Sequence, residues 1–224
     1  MASEPVSYVN YLKVDELLGL QHPLSDGPEH DELLFIIIHQ TYELWFKQLL
    51  HELSRLRRLL RDAELHPALG TLKRVRTIMK TLVSQVDILE TMTPLEFNSF
   101  RARLEASSGF QSYQFRSFER VFARPGIWDD VVEFLRVGTE EGGSVDIEAM
   151  LLATYRDRPD LSLLLEGLVD LDEGIQEWRY RHVKMVERTI GSKQGTGGSS
   201  GADYLKSTLF KPVFPELWAI RAKF

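Results

Sequence analysis

The sequence predicts an all-α fold built as a single helical domain, and three observations carry that expectation. Apolar residues recur at three- and four-residue steps through nearly every long segment. Alternating β-branched and polar runs, the mark of half-buried strands, are scarce. The stretches between the periodic segments are loop-like, and none reads as an interdomain linker.

The elements follow in chain order. Residues 1–15 form an aromatic N-terminal arm. From Glu29 to Ala63 the apolar positions keep a helical period through Trp45, Leu49 and Leu53, with Asp26, Gly27 and Pro28 as a start signal ahead of them. A second amphipathic helix is expected over Leu69–Met92, its stripe formed by Val75, Ile78, Leu82, Val86 and Leu89. Thr93-Pro94 opens another, because Thr caps well and Pro fits a first turn. Shorter helices are expected at 111–123, 128–137 and 144–156, with a loop over Val137–Ser144. The last long helix runs from Asp160 to Ile190 and stops at Gly191. The stretch that follows, Gly191–Gly201, is rich in Gly and Ser and serves either as a flexible linker or as a mobile lid over an anionic group.

Composition closes many functional classes. At 224 residues, 43% apolar and 27% charged, the chain is long enough to bury a core without staples. It has no Cys, which excludes disulfides, thiolate metal sites and Cys nucleophiles, and a reducing cytoplasmic setting is expected. The net charge of −6 disfavours general nucleic-acid binding. The N-terminus lacks signal architecture, and the longest apolar run, Leu33–Ile38, is far too short to span a bilayer, so no membrane role is expected.

Six histidines are present: His22, His30, His39, His51, His66 and His182. None follows a Glu at three residues, and no His-Glu-x-x-His motif or Walker-type phosphate loop occurs. Two lie on apolar helical stripes. His182 shares a face with Leu171, Ile175, Trp178 and Met185, and His39 shares one with Phe35, Tyr42 and Phe46. Each is either a core histidine bonded to a neighbour or, in the sharper reading, an axial ligand to haem. Arg101 sits among Phe97, Phe100 and Leu104, where it either pairs within its own chain or offers a bidentate fork to a substrate carboxylate.

Four strings, in this order, resemble the tryptophan 2,3-dioxygenase family. They are Phe35-Ile-Ile-Ile-His39-Gln-Thr-Tyr-Glu-Leu-Trp45, Ser107-Ser-Gly-Phe-Gln-Ser112, Trp178-Arg-Tyr-Arg-His182 and Gly195-Thr-Gly-Gly-Ser-Ser-Gly201. The resemblance runs from Tyr8 to the Phe-Pro-Glu-Leu at 214–217. It implies a helical enzyme that uses haem b and O₂, acts on L-tryptophan or a tryptophan derivative, and assembles as a homotetramer. By resemblance, His182 is the proximal iron ligand, with Trp178, Ser108 and Gly109 also beside the haem. His39 stands on the distal side near the indole N–H, and Phe35 packs on the indole. Arg101 clamps the carboxylate with help from Thr196, while Phe97 and Leu104 flank it. Tyr8, Tyr11 and Leu12 match the segment that completes a neighbouring subunit's pocket. Two departures are visible. Phe97 stands where some members carry Tyr, which removes a hydroxyl, and the region between Arg101 and His182 is some tens of residues shorter than usual. The implied reaction is dioxygenation across the indole C2–C3 bond to N-formylkynurenine. The alternatives are a haem monooxygenase giving an oxindole-type product and a haem- or ligand-binding protein without turnover.

Overall fold

The structure, a computed structural model, describes residues 5–27, 29–136, 146–196 and 205–224. The all-α expectation holds: no strand occurs among the described residues. The N-terminal arm carries two short helices, α1 (Tyr8–Leu12) and α2 (Val14–Leu18), neither of which buries a residue. Three long helices then dominate: α3 (Asp31–Arg61), α4 (Leu65–Leu89) and α9 (Pro159–Ile190). Between α4 and α9 lie α5 (Pro94–Arg101), α6 (Tyr113–Val121), α7 (Ile127–Arg136) and α8 (Ile147–Asp157). A short α10 (Pro215–Ala219) and a 3₁₀ turn over Ile220–Lys223 close the chain.

The long helices pack because each carries a leucine-rich stripe at helical spacing. Leu49, Leu53, Leu56 and Leu60 of α3 meet Leu72, Val75, Met79 and Leu82 of α4. The same cluster takes in Leu164, Leu168, Leu171 and Ile175 of α9, which packs on α4 as well. Gly167 marks the closest approach of α9 to α4, since a Cβ there would lie 2.7 Å from Leu72 Cδ2. Such a stripe, buried against another helix, supplies most of a helix's stability in a protein. Ion pairs pin the outer helices: Arg57 and Arg61 of α3 both reach Asp130 of α7, at 2.5 and 2.8 Å.

The structure corrects several boundaries. The start expected at Asp26–Pro28 is not a cap; α3 begins at Asp31 with no side-chain cap, and Pro28 lies outside the described residues. Instead, the buried Glu32 carboxylate reaches back and accepts from the Leu24 and Ser25 amides, at 2.7 and 2.9 Å. Helix α4 begins four residues earlier than Leu69, because Pro67 sits in its first turn, where a missing N–H costs nothing. Asp146 caps α8, whose start moves to Ile147. The loop expected over Val137–Ser144 lies outside the described residues, as does the 197–201 part of the Gly-rich stretch. Gly191 does end α9, at φ +61.

The C-terminal segment is fastened to α9 by one buried carboxylate. Asp172 accepts from the Phe214 amide at 2.9 Å, from Trp218 Nε1 at 3.0 Å and from Gln176 Nε2 at 2.9 Å. A buried carboxylate is tolerated only when donors satisfy it in this way. Among the described residues, no helix is long and apolar enough to cross a membrane.

Candidate active site

A second, smaller apolar cluster forms where the first turns of α3 and the last turns of α4 and α9 meet α5. Ile38, Leu89, Met92, Phe97 and Phe100 are buried there, with Leu34, Phe35, Leu104, Met185 and Ile190 packed against them. Helix α5 exists because of its cap. Thr93 Oγ1 accepts from the Glu96 amide while the Glu96 carboxylate accepts from the Thr93 amide, at 3.3 and 2.6 Å, and Pro94 opens the helix. That cap sets Phe97, Phe100 and Arg101 on one short rigid element. Phe35 then contacts Phe97 and Phe100, with ring centroids 5.9 and 5.6 Å away, and His39 at 4.1 Å.

The two histidines on apolar stripes come together at this cluster. His182 is pushed down to about 4, first by burial and then by the nearby His39. His39 is also pushed down, first by the loss of solvation among crowded neighbours, against a smaller opposing effect of its bond to Phe35. It nevertheless keeps an exposed face. A ring crowded by protein atoms yet open to solvent lines a recess, so the inward position expected for His39 is corrected to a recess wall. At neutral pH both imidazoles are uncharged. Their surroundings differ. His39 Nδ1 stands 2.7 Å from the Phe35 carbonyl. A carbonyl only accepts, so Nδ1 carries the hydrogen and Nε2 keeps a free lone pair. The His182 ring stacks on Trp178 at 5.5 Å and 3°, and Trp178 contacts Tyr42 and Phe46 in turn. Tyr42 is fixed by donating to the Leu82 carbonyl at 2.6 Å, and burial pushes its hydroxyl up to about 12. Arg181, next to His182, fastens this part of α9 to α4 through Asp87 and Glu90, at 2.5 and 3.1 Å.

The other site residues expected from the sequence divide into two groups. Phe97 and Leu104 belong to the cluster, and Arg101 stands beside it, its guanidinium donating to the Gln194 carbonyl in the turn after α9. Thr196 is half-buried at the end of that turn. Ser108 caps a 3₁₀ turn over Gly109–Gln111, and a Cβ at Gly109 would meet nothing within 4 Å, so the backbone there faces open space. The structure does not bring Tyr8, Tyr11 and Leu12 into their own chain's recess; Tyr8 and Tyr11 are each 74% exposed. Sequence reading missed Tyr42, the Gln194 carbonyl, and Gln114, which donates to Glu43 across the α3–α6 contact. Tyr42 lay on the His39 stripe, and that spacing was the one signal pointing to it.

The donor set suits haem. His182 is neutral and its ring is held by stacking on Trp178, and a neutral imidazole keeps one nitrogen lone pair for an iron centre. Trp178 beside it, backed by the Tyr42, Phe46 and Phe115 rings, suits a flat, mostly apolar group. A hard cation fits poorly, because no group of three His, Asp, Glu or Cys side chains gathers among the described residues.

Comparison with known proteins agrees with this arrangement. A family model described as tryptophan 2,3-dioxygenase matches residues 1–124 and 144–224. The tryptophan 2,3-dioxygenase of Herpetosiphon aurantiacus is 52% identical, over 98% of this chain and 99% of its own. That of Anaeromyxobacter dehalogenans is 49% identical, over 98% and 96%. That of Caulobacter vibrioides is 40% identical, over 99% of each. The break in the family match falls between Arg101 and His182, where the sequence reads as shortened. With the four strings in order, the all-α fold and the match along nearly the whole length, this chain belongs to the tryptophan 2,3-dioxygenase family.

Proposed function

We propose that the chain is a haem-dependent dioxygenase of L-tryptophan. It cleaves the indole C2–C3 bond and leaves one atom of O₂ on each carbon, giving N-formylkynurenine. One juxtaposition supports this reading: the His39 ring stands 4.1 Å from Phe35 in the aromatic cluster that Arg101 follows in sequence, and His182 is near enough to His39 to be shifted by it. The names of the relatives, tryptophan 2,3-dioxygenases at up to 52% identity, support it. No residue of the recess favours transfer of a single oxygen atom. A pure haem carrier has no use for Arg101 beside an aromatic wall.

The roles follow from the geometry. His182 holds haem b, with Trp178, Ser108 and Gly109 around it, and the haem supplies the iron chemistry that brings O₂ to the indole. Phe35, Phe97 and Leu104 form an apolar wall for the ring and keep water from it. The His39 Nε2 lone pair accepts the indole N–H and so sets the ring's orientation. Arg101 forks onto the carboxylate, and Thr196 assists at the polar end. Tyr8, Tyr11 and Leu12, exposed on their own chain, close the pocket of a neighbouring subunit in a homotetramer. The chain works as one helical domain over 1–224, with an arm at 1–15 and a substrate-closing loop at 191–201.

Mass spectrometry of the product formed under ¹⁸O₂ tests the reaction. Two labelled atoms are expected; one labelled atom establishes the monooxygenase, and no product establishes a binder. His39→Ala should slow turnover about tenfold and leave it measurable, since one neutral hydrogen bond contributes about 0.5–1.5 kcal/mol. Steady-state rates of the haem-loaded variant check this. Complete inactivity with normal tryptophan affinity would make His39 an obligatory acid–base group instead.

A further inference from the structure

We infer that Gln114 is a positioning residue for the recess, and that its amide, gripping Glu43, holds the Ser108–Ser112 wall against the helix that carries Phe35 and His39. The inference rests on the proposed function, which puts Ser108 and Gly109 beside the haem, and adds a residue outside that set. Glu43 lies one helical turn beyond His39 on α3. Gln114 is the second residue of α6 and directly follows the turn that contains Ser108 and Gly109. Its Nε2 donates both to the Glu43 carbonyl, at 2.7 Å, and to Glu43 Oε2, at 2.9 Å. An amide nitrogen has two hydrogens, so both donors are spent on one residue, one on its backbone and one on its side chain. A two-point contact fixes direction as well as distance.

The wall itself is stiff on the other side of the tie. Ser108 and Gln111 cap each other, Gln111 Nε2 donates to the Ala106 carbonyl at 3.2 Å, Arg116 donates to the Phe110 carbonyl at 2.8 Å, and Ser112 accepts from the Phe115 amide at 3.0 Å. The turn and the first turn of α6 therefore move as one piece. Phe115 packs on Phe46 of α3 and on Trp178, which seats the piece on the core, and the Gln114 amide adds a directional contact on the same helix one turn from His39. The Gln114–Glu43 pair is a two-point hydrogen-bonded link from this piece to α3.

Polarity gives a specific test. Gln114→Glu sets a carboxylate against the Glu43 carboxylate and carbonyl, all acceptors, and should drive the wall away. Adding Glu43→Gln restores one donor and lets residue 114 accept. Hydrogen exchange of the peptide covering 106–113 in the haem-loaded protein should quicken at least fivefold in Gln114→Glu and return to within twofold of the parent in the double variant. The tryptophan Kd, from spectral titration, should rise about tenfold and recover in parallel, with haem content unchanged. Unchanged exchange in Gln114→Glu, or exchange that stays fast in the double variant, would overturn the proposal. A parent protein that does not bind tryptophan at all would reject the functional reading while leaving the exchange test intact.

Discussion

Replacing His182 by alanine is expected to abolish stable haem binding. Few other side chains near the cluster could hold the iron. The His39 Nε2 lone pair is assigned to the indole N–H in the proposed function, and Met185, though near, is a weaker thioether donor. His182 is held by stacking on Trp178, and by the Arg181 anchor to α4, before any ligand arrives. Burial has already made it neutral, so no proton must leave when it coordinates. The purified variant should show no Soret band, or one lost on desalting, while its far-ultraviolet circular dichroism stays helical. Full haem occupancy with an unchanged ferrous spectrum would remove His182 as the ligand.

The second large effect is expected at Arg101. Arg101→Lys should weaken tryptophan binding roughly tenfold to a hundredfold, because an ammonium cannot reproduce the planar fork and a charge-assisted bond contributes about 1.5–3 kcal/mol. The Arg101 guanidinium donates to the Gln194 carbonyl, a neutral acceptor. A carboxylate is the stronger acceptor and should replace it. Tryptamine, which lacks the carboxylate, should bind the parent protein about as weakly as tryptophan binds the variant. Spectral titration of the haem-loaded proteins with both ligands measures this. Equal affinity of the parent for tryptophan and tryptamine would take Arg101 out of the site.

Much of this was legible in the sequence because helices write their packing at a fixed period. The stripes through Leu49–Leu53 and Val75–Leu82 state which faces are buried, and the structure buries them. Thr93-Pro94 and Gly191 announced helix ends because caps are local chemistry. The start of α3 was misread for the opposite reason. Its first turn is tied by Glu32 to a segment seven and eight residues earlier, a contact no start signal encodes. The helices of the arm were also missed, since Tyr8–Leu12 and Val14–Leu18 are too short for a period to show.

The sequence by itself determined the helical class, the buried stripes and, through four short strings, the family. Periodicity and capping act over a few residues, so one dimension is enough to display them. Only the tertiary structure decided that His39 lowers the basicity of His182, 143 positions away, and that His39 keeps an exposed face instead of lying in the core. It also decided which nitrogen of His39 is free, what occupies Arg101, and that Gln114 reaches Glu43 from 71 residues away. Each of those depends on how α3, α5, α6 and α9 cross. Crossing is set by the summed fit of many side chains, and no single stretch of sequence contains it.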